Sequence, residues 1–217
     1  MKINQLTESS NTNLLIIDVQ PEYDNWCNNI LEGVQGMIEK ANGGIFVVYN
    51  DFGGGDTLDE VFAYLAGTDQ EDEEEFYNDE TDEWEYTSPA HTAVSDKLKS
   101  AKFFQKEFGF LRDWMDQGVR DSTIIEIIRA MAAAKAYDSR ELDYESISDN
   151  AKADLESTGI SWEDGGIYMQ EWVPVHFLKS ISPFYMMGGG RQECLREIEL
   201  FCNAFNIKYK RIDSLIY

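Results

Sequence analysis

Basic residues are scarce in this sequence. Eighteen Lys and Arg stand against 41 Asp and Glu, for a net charge of -23. Binding to nucleic acid or to an anionic membrane is driven by cationic side chains, so neither is expected as a partner. Histidine is scarcer still: His91 and His176 are the only two. A zinc-type site built on imidazoles is therefore not expected. No cofactor is expected either. Three cysteines, Cys27, Cys194 and Cys202, are an odd count that does not read as a disulfide framework. Cys194 and Cys202 lie eight residues apart on one expected helix, about 12 Å at 1.5 Å per residue, too far to bridge within it. Long apolar runs are missing as well. Leu14–Ile17 is far too short to span a bilayer, and the N-terminal MKINQLTESSNTN is polar with no secretory signature. A cytoplasmic protein with reduced thiols is the expectation.

What is present is a globular pattern of 217 residues, 43% of them hydrophobic. LLIIDVQ (14–20) and GGIFVVYND (43–51) read as buried parallel strands, and apolar positions recur at helical spacing over 26–41. Strand, helix, strand in this compass is a βαβ unit with a right-handed crossover. AKFFQKE (101–107) is a third strand candidate, 122–137 a helix with Ile124, Ile127, Ile128 and Met131 in one stripe, and SPFYMMG (182–188) a further strand. A short strand is expected at 166–172, a short helix at 173–181, and a closing edge strand after the helix that starts at Cys194. From Asp69 to Glu85 there are eleven acidic residues and no basic one, which reads as a solvated loop, with cation binding as the alternative. The expected organisation is one α/β domain over 1–217, a three-layer Rossmann-like fold with a mostly parallel sheet. It carries an acidic loop at about 67–93 and an enlarged insertion at about 107–170.

The stretch FYMMGGGRQECLREIELFCNAF (184–205) puts three glycines between a strand and a helix whose first turn holds a thiol. A helix N-terminus favours thiolate. The glycines do not follow the G-x-G-x-x-G spacing of dinucleotide binders. Asp18 stands at the C-terminal end of the first strand, and strand C-termini line the ligand crevice of open parallel sheets. With LLIIDVQPEY at one end and GGGRQECLREIELFCNAFNIKYKRID at the other, the chain resembles the isochorismatase-like cysteine hydrolases.

That resemblance implies a triad of Asp18, Lys106 and Cys194. Lys102 is the competing lysine, since residues four apart in a strand face the same side. It also implies a cis peptide at Gly189–Gly190 and an oxyanion hole to which the Cys194 N–H contributes. Tyr23, Arg112, Trp114 and Arg191 are candidates for substrate contact. Arg191 stands where the family carries threonine. Asp51, Phe52 and Gly53 lack the histidine through which metal-binding relatives hold their ion. FGFLRDWMDQGV (108–119) would lid the site or meet a neighbouring subunit; a plain packed turn is the structural alternative. The implied activity is covalent hydrolysis of a small amide or related carbonyl compound by a homo-oligomer. The competing expectation, from another class, is a non-catalytic binding or scaffold protein that keeps the fold.

Overall fold

The computed structural model describes residues 13–50, 55–68, 75–78, 83–86, 89–106, 111–136, 138–162 and 175–217. The chain forms two compact units. The first comprises residues 1–107, 184–189 and 211–217, and the second residues 108–183 and 190–210.

In the first unit, the apolar runs become strands that run parallel. Strand β1 (Asn13–Ile17) lies between β2 (Ile45–Asn50) and β6 (Phe184–Gly188), and β2 pairs on its other side with β5 (Lys102–Lys106). The sheet order is β5-β2-β1-β6-β7, where β7 (Tyr209–Arg211) lies where the chain returns to this unit. Every residue of β2 is buried, as expected of a strand covered on both faces. Helix α1 (Asp24–Lys40) turns Cys27, Ile30, Leu31, Val34, Met37 and Ile38 inward. Each such aliphatic side chain is worth about 1.5–3 kcal/mol when fully buried.

Two helices of this unit lie outside the periodic stretches of the sequence. Helix α2 (Leu58–Ala66) begins at a reciprocal cap. The Thr57 hydroxyl accepts from the Glu60 N–H, and the Glu60 carboxylate accepts from the Thr57 N–H at 2.7 Å. Helix α3 (Pro89–Leu98) packs with α1 and α2. The acidic stretch also departs from a plain loop, because it contains the antiparallel pair β3 (Glu75–Asn78) and β4 (Glu83–Tyr86). Phe76, Tyr77, Trp84 and Tyr86 have high strand propensity, and that preference outweighs the charge of their neighbours.

The second unit is helical. Helix α4 (Arg112–Asp116) precedes α5 (Asp121–Ala134), whose stripe Ile124, Ile127, Ile128 and Met131 is fully buried. It packs on α8 (Cys194–Ala204), and the Arg129 guanidinium closes the end of α8 by donating to the Ala204 carbonyl at 2.7 Å. Between them in the chain lies α6 (Asp149–Thr158), in a stretch too polar to show helical periodicity. Its start is marked instead by Ser148, whose hydroxyl accepts from the Ala151 N–H. Helix α7 (Val175–Ile181) falls within the short helix expected at 173–181. The strand expected at 166–172 lies outside the described residues. Among the described residues no helix is long and apolar enough to cross a membrane.

Candidate active site

Strand β1 ends at Ile17, and the next residue, Asp18, takes a left-handed backbone with φ 50°. L-residues adopt this region sparingly, Asp more readily than most, and the strain is of order 1–3 kcal/mol where it occurs. Asp18 is held there by its own backbone. Its N–H donates to the Val48 carbonyl at 2.9 Å, extending the β1–β2 ladder by one residue, and its carbonyl accepts from the Tyr217 hydroxyl at 2.9 Å.

The Asp18 side chain is fully buried and so is Lys106, at the end of β5. One Asp18 carboxylate oxygen, Oδ2, meets the Lys106 ammonium at 2.6 Å. The other, Oδ1, has no hydrogen-bond partner among the described residues. Oδ2 lacks hydrogen-bond geometry toward Nζ, but at this separation it is ion-paired. The geometry also chooses between the two lysines, because Lys102 is exposed at the start of the same strand. Residues four apart do share a face, but only the end of β5 reaches the level of Asp18: Lys106 is in register with Asn50, two residues beyond Val48, the partner of Ile17.

Residues between and beside these two fix the strand ends. Gln20 is fully buried and clamps the last residue of β2 from both sides. Its Nε2 donates to the Asn50 carbonyl at 2.7 Å, and its Oε1 accepts from the Asn50 N–H at 2.9 Å. The same Nε2 donates to Asp56 at 2.9 Å, and Asp56 accepts from the Glu22 N–H at 2.7 Å. Tyr23, one of the expected substrate contacts, is half-buried, and its hydroxyl accepts from Asn50 Nδ2 at 3.0 Å. Burial, and next the negative charge of Asp18, push the Tyr23 phenol up from its ordinary value. Glu22 is pushed up too, by partial desolvation and then by the charges of Asp56 and Asp18.

Gln20, Asn50, Asp56 and Tyr217 are not among the site residues expected from the sequence. Gln20 carries a signal, standing two residues after Asp18 in the block that bears the resemblance. Tyr217 carries none, being 199 residues from its partner.

The glycine turn departs from expectation. Gly189–Gly190 is not cis; among the described residues the only cis peptide bond is Ser182–Pro183. The chain reverses instead through two successive left-handed glycines, Gly188 at φ 74° and Gly189 at φ 70°, a solution open to residues without Cβ. At Gly188 a side chain is excluded twice over, since a Cβ would lie 2.3 Å from the Ile17 carbonyl oxygen.

In the second unit, Gly190 opens the turn into α8, and its carbonyl accepts from the Glu193 N–H at 3.0 Å and the Leu195 N–H at 3.3 Å. Cys194 is the first residue of α8 and is half-buried, while Arg191 and Glu193 are exposed on the turn. Trp114 is buried in the same unit, its ring 6.2 Å from that of Trp162 and its Nε1 without a hydrogen-bond partner among the described residues. The side chain of Arg112 lies outside the described residues, as do Asp51, Phe52 and Gly53.

The other thiols differ from Cys194 in setting. Cys27 is buried, within 3.2 Å of the Tyr64 hydroxyl, and burial pushes its thiol up. Cys202 is buried in α8, where desolvation and then Glu199 push it up to about 12. None of the three cysteines is in a disulfide. Among the described residues no cluster of three or more His, Cys, Asp or Glu side chains could hold a metal ion.

No family model, curated protein or solved structure matches the chain.

Proposed function

We propose that the protein is a cysteine-dependent hydrolase that cleaves a small amide or related carbonyl compound through an acyl-enzyme on Cys194. The observation that carries this reading is the Asp18–Lys106 pair: a fully buried carboxylate at a strand C-terminus, on a left-handed backbone, with one oxygen ion-paired and the other without a partner among the described residues. The carboxyl ends of parallel strands are where open α/β sheets place ligands. A buried carboxylate there can serve as a general base, and the neighbouring ammonium stabilises the negative charge that the reaction moves. Cys194 supports the reading as the one half-buried thiol of the three, standing at the start of an eleven-residue helix.

In this mechanism Asp18 acts as the base and Cys194 as the nucleophile: the proton of the thiol passes to the base, and the sulfur forms a bond to the substrate carbonyl carbon. The carbonyl π electrons move to oxygen, making a tetrahedral oxyanion. Its collapse breaks the carbon–nitrogen bond, and the leaving nitrogen takes the proton from Asp18. A water molecule then gives a proton to Asp18 as its oxygen attacks the thioester, and the second collapse returns the thiol and releases the carboxylic acid. The reading extends to a cytoplasmic homo-oligomer whose partner is a small molecule and not a nucleic acid, in keeping with the net charge of -23.

Intact-mass measurement during incubation with a panel of small primary amides and p-nitrophenyl acetate tests the proposal. One acyl group mapped to Cys194, lost in Cys194→Ser and strongly slowed in Asp18→Asn, is the expected result. No adduct with any acyl donor, or an adduct formed equally well in Asp18→Asn, would leave the Asp18–Lys106 pair as a structural feature of a binding protein.

A further inference from the structure

Residues 212–217 reach the same point of the first unit as Asp18. The Ile212 N–H donates to the Met186 carbonyl of β6 at 3.0 Å, and the Leu215 N–H closes a tight turn onto the Ile212 carbonyl at 2.8 Å. Leu215 is buried against α1 where Gly33 leaves room: a Cβ on Gly33 would lie 2.4 Å from Leu215 Cδ2. Ile216 is buried, and the Tyr217 ring packs on the core that α1 and the sheet build. The segment is thereby anchored on both sides, and it delivers the Tyr217 hydroxyl to the Asp18 carbonyl at 2.9 Å.

We propose that Tyr217 is a positioning residue for Asp18, a role that rests on the hydrolase reading above. The reasoning starts from the backbone. Asp18 sits at φ 50°, so the peptide plane that follows it points where an extended strand would not send it. A carbonyl in that orientation has left the β ladder and needs a donor from elsewhere. Tyr217 supplies it. If the hydroxyl is removed, the Asp18–Val19 peptide loses the bond that opposes rotation toward the commoner negative-φ region. Such a rotation swings the Asp18 Cα–Cβ bond, and with it the carboxylate, away from Lys106 Nζ. Tyr217 donates to neither Asp18 oxygen that handles the proton; it acts through the main chain.

Tyr217→Phe keeps the packed ring and deletes only the oxygen. Two readouts are taken on the full chain: the ¹³C resonance of the Asp18 carboxyl, assigned by its loss in Asp18→Asn, and the rate at which p-nitrophenyl acetate acylates Cys194. In Tyr217→Phe the Asp18 resonance is expected to move, while the other carboxyls keep theirs. Acylation should slow by about twofold to thirteenfold, the range for one lost hydrogen bond. A thermal midpoint close to wild type separates this from general loosening of the core. An unmoved Asp18 resonance, or a wild-type acylation rate, overturns the role of Tyr217 while leaving the hydrolase reading intact. Absence of acylation in the wild-type protein overturns both, whatever the resonance does.

Discussion

Lys106→Met tests the buried pair through stability alone, with no substrate needed. Methionine keeps much of the length of the lysine stem and removes the charge. The variant leaves the Asp18 carboxylate fully buried with both oxygens unpaired among the described residues, since Oδ1 has no partner there and Oδ2 has only Nζ at 2.6 Å. Stranding one charge of a buried pair costs about 3–5 kcal/mol, whereas cutting an exposed pair costs about 0.2–1 kcal/mol. Burial of both partners puts this pair in the first class. A loss of that size is a large share of the roughly 5–15 kcal/mol that holds a domain folded.

Asp18→Asn removes the carboxylate from that pair and leaves the backbone undisturbed, because asparagine tolerates the left-handed region as well as aspartate does. In the double variant Asp18→Asn/Lys106→Met the stranded carboxylate is gone, and only the amide's unmet hydrogen bonds remain, worth about 1–3 kcal/mol. The double variant should therefore be more stable than Lys106→Met alone, with a coupling of about 2–5 kcal/mol. Urea unfolding followed by far-UV circular dichroism reads this as a midpoint lowered by about 1–2 M in Lys106→Met and partly restored in the double. A Lys106→Met variant within about 1 kcal/mol of wild type, or a double variant at the sum of the two singles, would refute the view that these charges are desolvated and mutually dependent.

Gly188→Ala should destabilise the first unit by about 2–4 kcal/mol, since it adds a left-handed backbone penalty to a Cβ placed 2.3 Å from the Ile17 oxygen; a midpoint within experimental error of wild type would contradict the turn described. Native alkylation with iodoacetamide should modify Cys194 well before the buried Cys27 and Cys202, all three reacting at once in urea; simultaneous native labelling would contradict the burial. Acid should weaken the second unit through Asp154. Burial there works against the charged carboxylate, but hydrogen bonds from Thr123 and from the Arg120 backbone and guanidinium outweigh it and hold the group below its ordinary range. A folded-state value below the unfolded one gives stability that is present above about pH 4 and lost as pH falls through the folded value. Asp154→Asn should flatten that acid loss, and an unchanged pH profile would show that Asp154 does not contribute to it.

The sheet was legible because its strands announce themselves as apolar runs too short for helices, and the stripes of α5 and the α8 face are long enough for their period to show. Helices α2 and α6 were hidden in polar surroundings, and their signal was local: a Thr57–Glu60 box and a Ser148 cap, each detectable only if caps are sought before periodicity. The β3–β4 pair was masked by charge, which dominates composition without deciding backbone preference. At the site, Asp18 and Lys106 are the acid and the lysine that the resemblance singles out, and each stands at the end of a recognisable strand. What could not be read is the support around them. Gln20 binds Asn50 across 30 residues, and Tyr217 binds Asp18 across 199; hydrogen bonds at such separations leave no pattern in a linear string.

Two ion pairs of this molecule show why Asp18 invites a chemical reading and another aspartate does not. Asp154 is buried, but its partner Arg120 is 61% exposed in its side chain, and both carboxylate oxygens are engaged, Oδ1 by the guanidinium and Oδ2 by the Arg120 N–H. That arrangement ties the start of α5 to α6 at little electrostatic cost, and stability alone explains it. Asp18 gathers three separate costs at one position: a desolvated carboxylate facing a desolvated ammonium, a left-handed backbone, and a buried oxygen with no donor among the described residues. Well-packed apolar side chains would stabilise the same volume as well or better. Each cost alone has structural precedents in folded proteins; their coincidence, at the C-terminal end of a central parallel strand, is what motivates the proposed role. In the proposed reaction such a carboxylate is held in one orientation, beside an ammonium and away from bulk water.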